Sequence, residues 1–174
     1  MNQKFLGDAQ LYSSAAWLLS KNTSRFSFNN RGRMLPSHIL KAYSLELYLK
    51  VLLNLTGDSH SAGEKTQGGS LVEIFRSLDY ALRDCMETAF SRILIGEKLP
   101  DAWPLDDSTK NQIPRDLDGN LVQWSRLLSK FRLPNGLESA EEMPEVWFGR
   151  EIEEVVRKTL ASLKSTEKIE KVAC

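Results

Sequence analysis

The sequence predicts an all-α fold, and three observations carry that prediction. Apolar residues recur at three- and four-residue steps along most of the chain. No run alternates apolar and polar residues for long enough to specify a strand, and turn-forming Gly, Pro, Asn and Ser clusters separate the periodic segments. With 174 residues, 41% of them hydrophobic and 26% charged, the chain can bury one sizeable core. A single domain over residues 1–174 is expected, with 165–174 as a loose polar tail.

The elements follow in order. Asp8 is placed to cap a first helix on which Leu11, Ala15, Leu18 and Leu19 form one stripe with Trp17 beside it. Asn22 to Leu35 is polar and reads as a loop, after which Pro36 suits a first helical turn. From there to Leu55, apolar residues including Leu45, Tyr48, Leu49 and Leu52 cover most of the circumference, as expected of a central helix. Gly57 can end it, and Asp58 to Gly69 forms a second loop. Ser70-Leu71-Val72-Glu73 has capping-box form. Leu71, Ile74, Phe75, Leu78, Leu82, Cys85, Met86, Ala89 and Ile93 then follow at helical spacing, as one amphipathic helix or as two if Asp79 caps afresh.

Pro100, Pro104 and Pro114 make Leu99 to Arg115 an insertion expected to fold over the bundle. Leu117, Leu121, Trp124, Leu128 and Phe131 mark another helix, closed by Leu133-Pro134-Asn135-Gly136. A last helix is expected to begin near Pro144, with Ile152, Val155, Val156, Leu160 and Leu163 on its inner face. The sum is an up-and-down bundle of about five helices.

Composition excludes several function classes. Lys+Arg 23 balance Asp+Glu 23, so any nucleic-acid affinity must come from a local patch instead of bulk charge. Mean hydropathy is −0.34 and no long uncharged apolar run occurs, so no membrane span is expected. The first residues lack a signal-peptide apolar stretch, and the cysteines, Cys85 and Cys174, are too few and too far apart for a disulfide framework. A cytoplasmic protein is expected. His38 and His60 are the only histidines and lie at no ligand spacing, so neither a metal nor any other cofactor is expected. Gly63-Glu64-Lys65-Thr66 lacks the order and the preceding strand of a phosphate loop. Cys85 falls on the helix stripe and is read as core packing.

Three local features remain. Between Ala9 and Leu45 there is no acidic residue, whereas Lys21, Arg25, Arg31, Arg33 and Lys41 are all there, with His38. Phe26 and Phe28 interleave with them, a pattern that could stack bases of single-stranded RNA or a nucleotide beside the positive end of a helix dipole. The structural alternative is two phenylalanines anchoring a loop whose cations are simply solvated. Glu46 and Lys50, four apart on the central helix, form either a surface ion pair, a semi-buried pair, or part of a cleft or subunit interface. Glu138, Glu141, Glu142, Glu145, Glu151, Glu153 and Glu154 stand against Arg150 alone, as a solvated face or as a partner for the basic segment.

The segment Ala42-Tyr43-Ser44-Leu45-Glu46-Leu47-Tyr48-Leu49-Lys50-Val51-Leu52-Leu53, with Gly68-Gly69-Ser70-Leu71-Val72-Glu73-Ile74-Phe75 after a polar loop, resembles the HEPN superfamily. Gly69 stands where that family often has a histidine. The resemblance implies a helical bundle, a homodimer, RNA binding, and in some members metal-independent RNA cleavage within toxin–antitoxin or antiphage systems. The family's Arg-then-His pattern, with four to six residues between, is met by Arg33 and His38, and also by Arg31 with His38. The resemblance thus makes Arg33 and His38 the candidate catalytic pair, the first supporting a scissile phosphate and the second moving a proton. Lys21, Arg25, Arg31, Lys41, Phe26 and Phe28 are then the candidate ligand-binding residues. The competing expectation is a non-catalytic module that dimerises or engages a protein partner encoded nearby.

Overall fold

The computed structural model describes residues 2–21, 31–56, 70–96, 113–132 and 146–172, with side chains described for 3–21, 35–56, 70–94, 113–132 and 146–165. The described residues form six helices and no strand: α1 (Asn2–Lys21), α2 (Arg31–Thr56), α3 (Leu71–Arg76), α4 (Tyr80–Gly96), α5 (Leu117–Arg132) and α6 (Gly149–Val172). The architecture is the all-α bundle that the periodicity implies.

The helix α2 is its axis. Leu45, Tyr48, Leu49 and Leu52 are at most 1% exposed, because α1, α3, α5 and α6 all pack on this helix. Leu71, Ile74 and Phe75 of α3, Leu121, Trp124 and Leu128 of α5, and Ile152, Val155 and Val156 of α6 complete the buried cluster, with Met86 and Phe90 of α4 closing it from the side of α5 and α6. Fully burying each such side chain contributes roughly 1.5–3 kcal/mol relative to exposure.

The α3–α4 corner is written locally. The Glu73 amide donates to Ser70 Oγ at 3.3 Å while the Ser70 amide donates to the Glu73 carboxylate at 2.8 Å, a complete capping box. Asp79 then caps afresh, accepting from the Ala81 amide at 2.8 Å, so the periodic stretch divides into two helices. The start of α5 is held from a distance. Both Glu87 oxygens accept from first-turn amides, Leu117 at 2.8 Å and Asp118 at 2.9 Å, satisfying donors that a helix cannot satisfy itself. Asp118 in turn receives a two-pronged contact from Arg76, at 2.8 and 2.6 Å, which ties α3 to α5.

Several expectations are corrected. The helix α1 begins at Asn2, so Asp8 lies inside it instead of capping it. The helix α2 begins at Arg31, so Arg31 to Leu35 are helical and Pro36 sits inside the helix, beyond its first turn. The stripe of Leu11, Leu18 and Leu19 with Trp17 faces outward, at 69, 56, 42 and 57% exposure, while the inner face is made by Ala9 and Ala16. Small residues let α1 approach α2 closely enough for Ser44 Oγ to donate to the Ala9 carbonyl at 2.9 Å. Cys85 is exposed; Met86 and Phe90 take the core positions.

The final helix starts at Gly149, not near Pro144, and runs to Val172, so most of the expected loose tail is helical. At its start Phe148 has φ 53, a left-handed conformation unusual for a bulky residue, with its ring edge-on to Phe90 at 6.0 Å. Gly149 is required by crowding: a Cβ there would lie 2.5 Å from Trp124 Cζ2. Residues 99–112 of the proline-rich insertion, the 58–69 loop and the 133–136 turn lie outside the described residues.

Candidate functional site

The helices α1 and α6 both lie on α2, and the groove between them has a volume of about 830 Å³. Its floor is a polar cluster. Glu153 of α6, only 8% exposed at its side chain, is ion-paired with Lys41 of α2, and both its oxygens accept from Ser13 of α1, at 2.7 and 2.9 Å. The Lys41 ammonium also donates to Ser13 Oγ at 3.3 Å. Three helices thus share one charge-assisted network, in which the buried carboxylate has the donors that burial demands. Tyr48, two turns along α2 from Lys41, is buried, and its hydroxyl has no hydrogen-bond partner among the described residues. Burial, then the nearby Glu153 charge, raises its pKa above the ordinary phenol value, against an opposing effect of Arg157.

The walls are different in character. On one side stand Trp17 and Leu18 of α1; on the other, Arg150, Glu154, Arg157, Lys158 and Ala161 of α6. Arg157 reaches Glu153 only at 3.9 Å and stays 61% exposed at its side chain, whereas Lys158 pairs with Glu154 at 2.7 Å.

The residues singled out in the sequence do not gather here. Lys21 ends α1 with its ammonium 4.8 Å from the Trp17 ring centroid, an exposed cation–π contact. Lys41 is committed to Glu153. His38, three residues before it, turns instead to α5 and packs edge-on against Trp124 at 5.9 Å, while the Trp124 indole N–H donates to the Trp147 carbonyl at 2.9 Å. Burial holds the His38 imidazole below its usual pKa, which favours the neutral ring. Arg31 and Arg33 lie in the opening turn of α2, their side chains outside the described residues, as are Arg25, Phe26 and Phe28.

Glu46 and Lys50 resolve into the buried alternative. The Glu46 carboxylate, 6% exposed, joins Lys50 at 2.7 Å and Arg132 of α5 at 2.5 Å. Its charge is therefore satisfied within the chain. Of the acidic stretch, Glu153 does pair with a member of the basic segment, Lys41; Glu138 to Glu145 lie outside the described residues.

Not legible in the sequence are the choice of Lys41 and Glu153 as the pair, the place of Ser13 between them, and the outward face of α1. Only Lys41 on a largely apolar helix, with glutamates on the last one, hinted at the first. Among the described residues no group of three His, Cys, Asp or Glu side chains is placed to hold a metal ion, and no helix is long and apolar enough to cross a membrane. No protein-family model, curated protein or solved structure matches the chain.

Proposed function

We propose that this chain is a non-catalytic interaction module that engages a protein partner through the outer face of α1. The observation that carries the reading is the exposure of Leu11, Tyr12, Trp17, Leu18 and Leu19 on one helix, each at 40% or more. Contiguous apolar patches beyond a few hundred Å² are uncommon on soluble monomers and mark binding surfaces. Trp and Tyr are also the side chains that most often anchor interfaces. The test is a photo-crosslinking amino acid placed in living cells at Leu18, with Tyr80 of α4, 73% exposed, as the control position. A discrete protein adduct from position 18 and none from position 80 supports the module. Absence of any adduct at position 18, or an RNA adduct, overturns it.

A second reading, an RNA-binding or RNA-cleaving protein of HEPN type, rests on the Arg33–His38 spacing at the start of α2, with burial pushing the His38 pKa down toward the neutral form that a proton acceptor needs. In that case Arg33→Ala and His38→Ala each abolish RNA cleavage while circular dichroism stays unchanged.

A further inference from the structure

The groove between α1 and α6 has a chemical asymmetry that the outer face of α1 alone does not. Six charged side chains line it: Lys41, Arg150, Arg157 and Lys158 against Glu153 and Glu154. The floor pair Lys41–Glu153 cancels internally, and Glu154 is matched by Lys158. The groove lining therefore carries an excess of two positive charges, and Arg150 and Arg157, which feel Glu154 and Glu153 only weakly, place it along the α6 rim. Arg157 is 61% exposed at its side chain and approaches Glu153 only at 3.9 Å. Arg150 is likewise exposed.

Arg150 and Arg157 are seven residues apart, two turns, so they lie on one face of α6 about 10 Å apart along its axis. Opposite them, the α1 wall presents the adjacent Trp17 and Leu18, both more than half exposed, with Ser13 and Ser14 one turn earlier. A two-turn cationic rim facing the apolar Trp17–Leu18 pair is the complement of an amphipathic helix with acidic residues along one edge of its apolar stripe. Such a helix would set its leucines against Leu18 and Trp17, and its carboxylates against the two guanidinium groups. Guanidinium–carboxylate pairing supplies orientation as well as attraction. A lipid surface would meet Trp17 and Leu18 but would find Glu154 and the recessed Glu153 carboxylate in the same groove.

Resting on the module reading above, we infer that the α1–α6 groove is a docking site for an acidic amphipathic helix of a protein partner. Charge complementarity selects this occupant over a basic or a neutral one.

The probe is a pair of synthetic fluorescent peptides of about 18 residues, five turns, with identical leucine stripes and flanks of glutamate in one and lysine in the other. The full chain is titrated with each by anisotropy at low and at moderate salt. The acidic peptide is expected to bind, with affinity falling as salt rises, and the basic peptide to bind at least about tenfold more weakly. Arg150→Glu with Arg157→Glu, both exposed and so without a core to disturb, reverses that preference. Leu18→Asp removes binding of either peptide. The site is overturned if the acidic peptide fails to bind, or if it binds the charge-reversed protein equally well. It is overturned too if sedimentation shows a self-association that Leu18→Asp abolishes, since a second copy then fills the groove. Single-stranded RNA that binds regardless of Leu18→Asp and is lost on charge reversal also overturns it. A protein adduct at position 18 without peptide binding removes the acidic helix and leaves the module standing, so the two failures are distinguishable.

Discussion

Lys41 and Glu153, 112 residues apart in the chain, form an ion pair at the base of the α1–α6 groove, with side-chain exposures of 17% and 8%. Removing one partner of a buried pair leaves the other charged and desolvated, at a cost of about 3–5 kcal/mol. Lys41→Met is therefore expected to lower stability by about 3 kcal/mol in urea denaturation, the lower end because Ser13 still donates to Glu153. Lys41→Met with Glu153→Leu should recover most of the loss, because no unpaired charge then remains at the base of the groove. A double variant as unstable as the sum of the singles would refute the pairing.

The cap on α5 makes a second prediction. Glu87→Ala strips acceptors from the Leu117 and Asp118 amides and is expected to cost about 1–2 kcal/mol. Amide exchange at residues 117 and 118 should accelerate, with little change in the α3 capping box around Ser70. Unchanged exchange at those two amides would show that Glu87 does not cap the helix.

Gly149→Ala places a methyl group 2.5 Å from the ring of Trp124, which is 2% exposed and flanked by His38. Overpacking of this kind costs about 1–3 kcal/mol. Loss of stability with a shift in tryptophan emission is expected, and a fully stable Gly149→Ala protein would contradict the packing.

The His38 imidazole is held below its ordinary value of 6.5 by burial, so the unfolded chain binds a proton more readily than the folded one. Its neutral folded form thus contributes stability that is complete above pH 6.5 and is lost as pH falls from there toward the lowered folded value. Replacing the ring with the uncharged His38→Gln should flatten the loss of stability between about pH 7 and pH 5. Identical pH profiles for the two proteins would place His38 in solvent.

What the sequence made legible was local. Ser70 with Glu73, and Asp79 before Tyr80, are caps whose partners lie within three residues; the first forms as expected, and the second decides for two helices where the spacing left one or two open. The all-round apolar character of α2 marked it as the axis. Periodicity alone could not orient α1. It located the stripe of Leu11, Leu18 and Leu19, yet the helix turns Ala9 and Ala16 inward, because close contact with α2 is worth more packing than large side chains held further away. Cys85 went astray for a related reason, lying one residue from Met86 and so about 100° around the helix from the core. Glu87, Arg132 and Glu153 find their partners 30, 86 and 112 residues away, separations that leave no mark on local pattern. The need for glycine at position 149, where α6 opens, comes from the Trp124 ring, again a tertiary cause.

The central claim is that the outer face of α1 is open in the isolated chain and covered when the protein is at work. Hydroxyl-radical footprinting of Leu11, Trp17 and Leu18, on the purified protein and again inside cells, measures this directly. Heavy labelling of all three in the pure protein with strong protection in cells is the expected result. Protection already present in the pure monomer, or equal labelling in both settings, would contradict it.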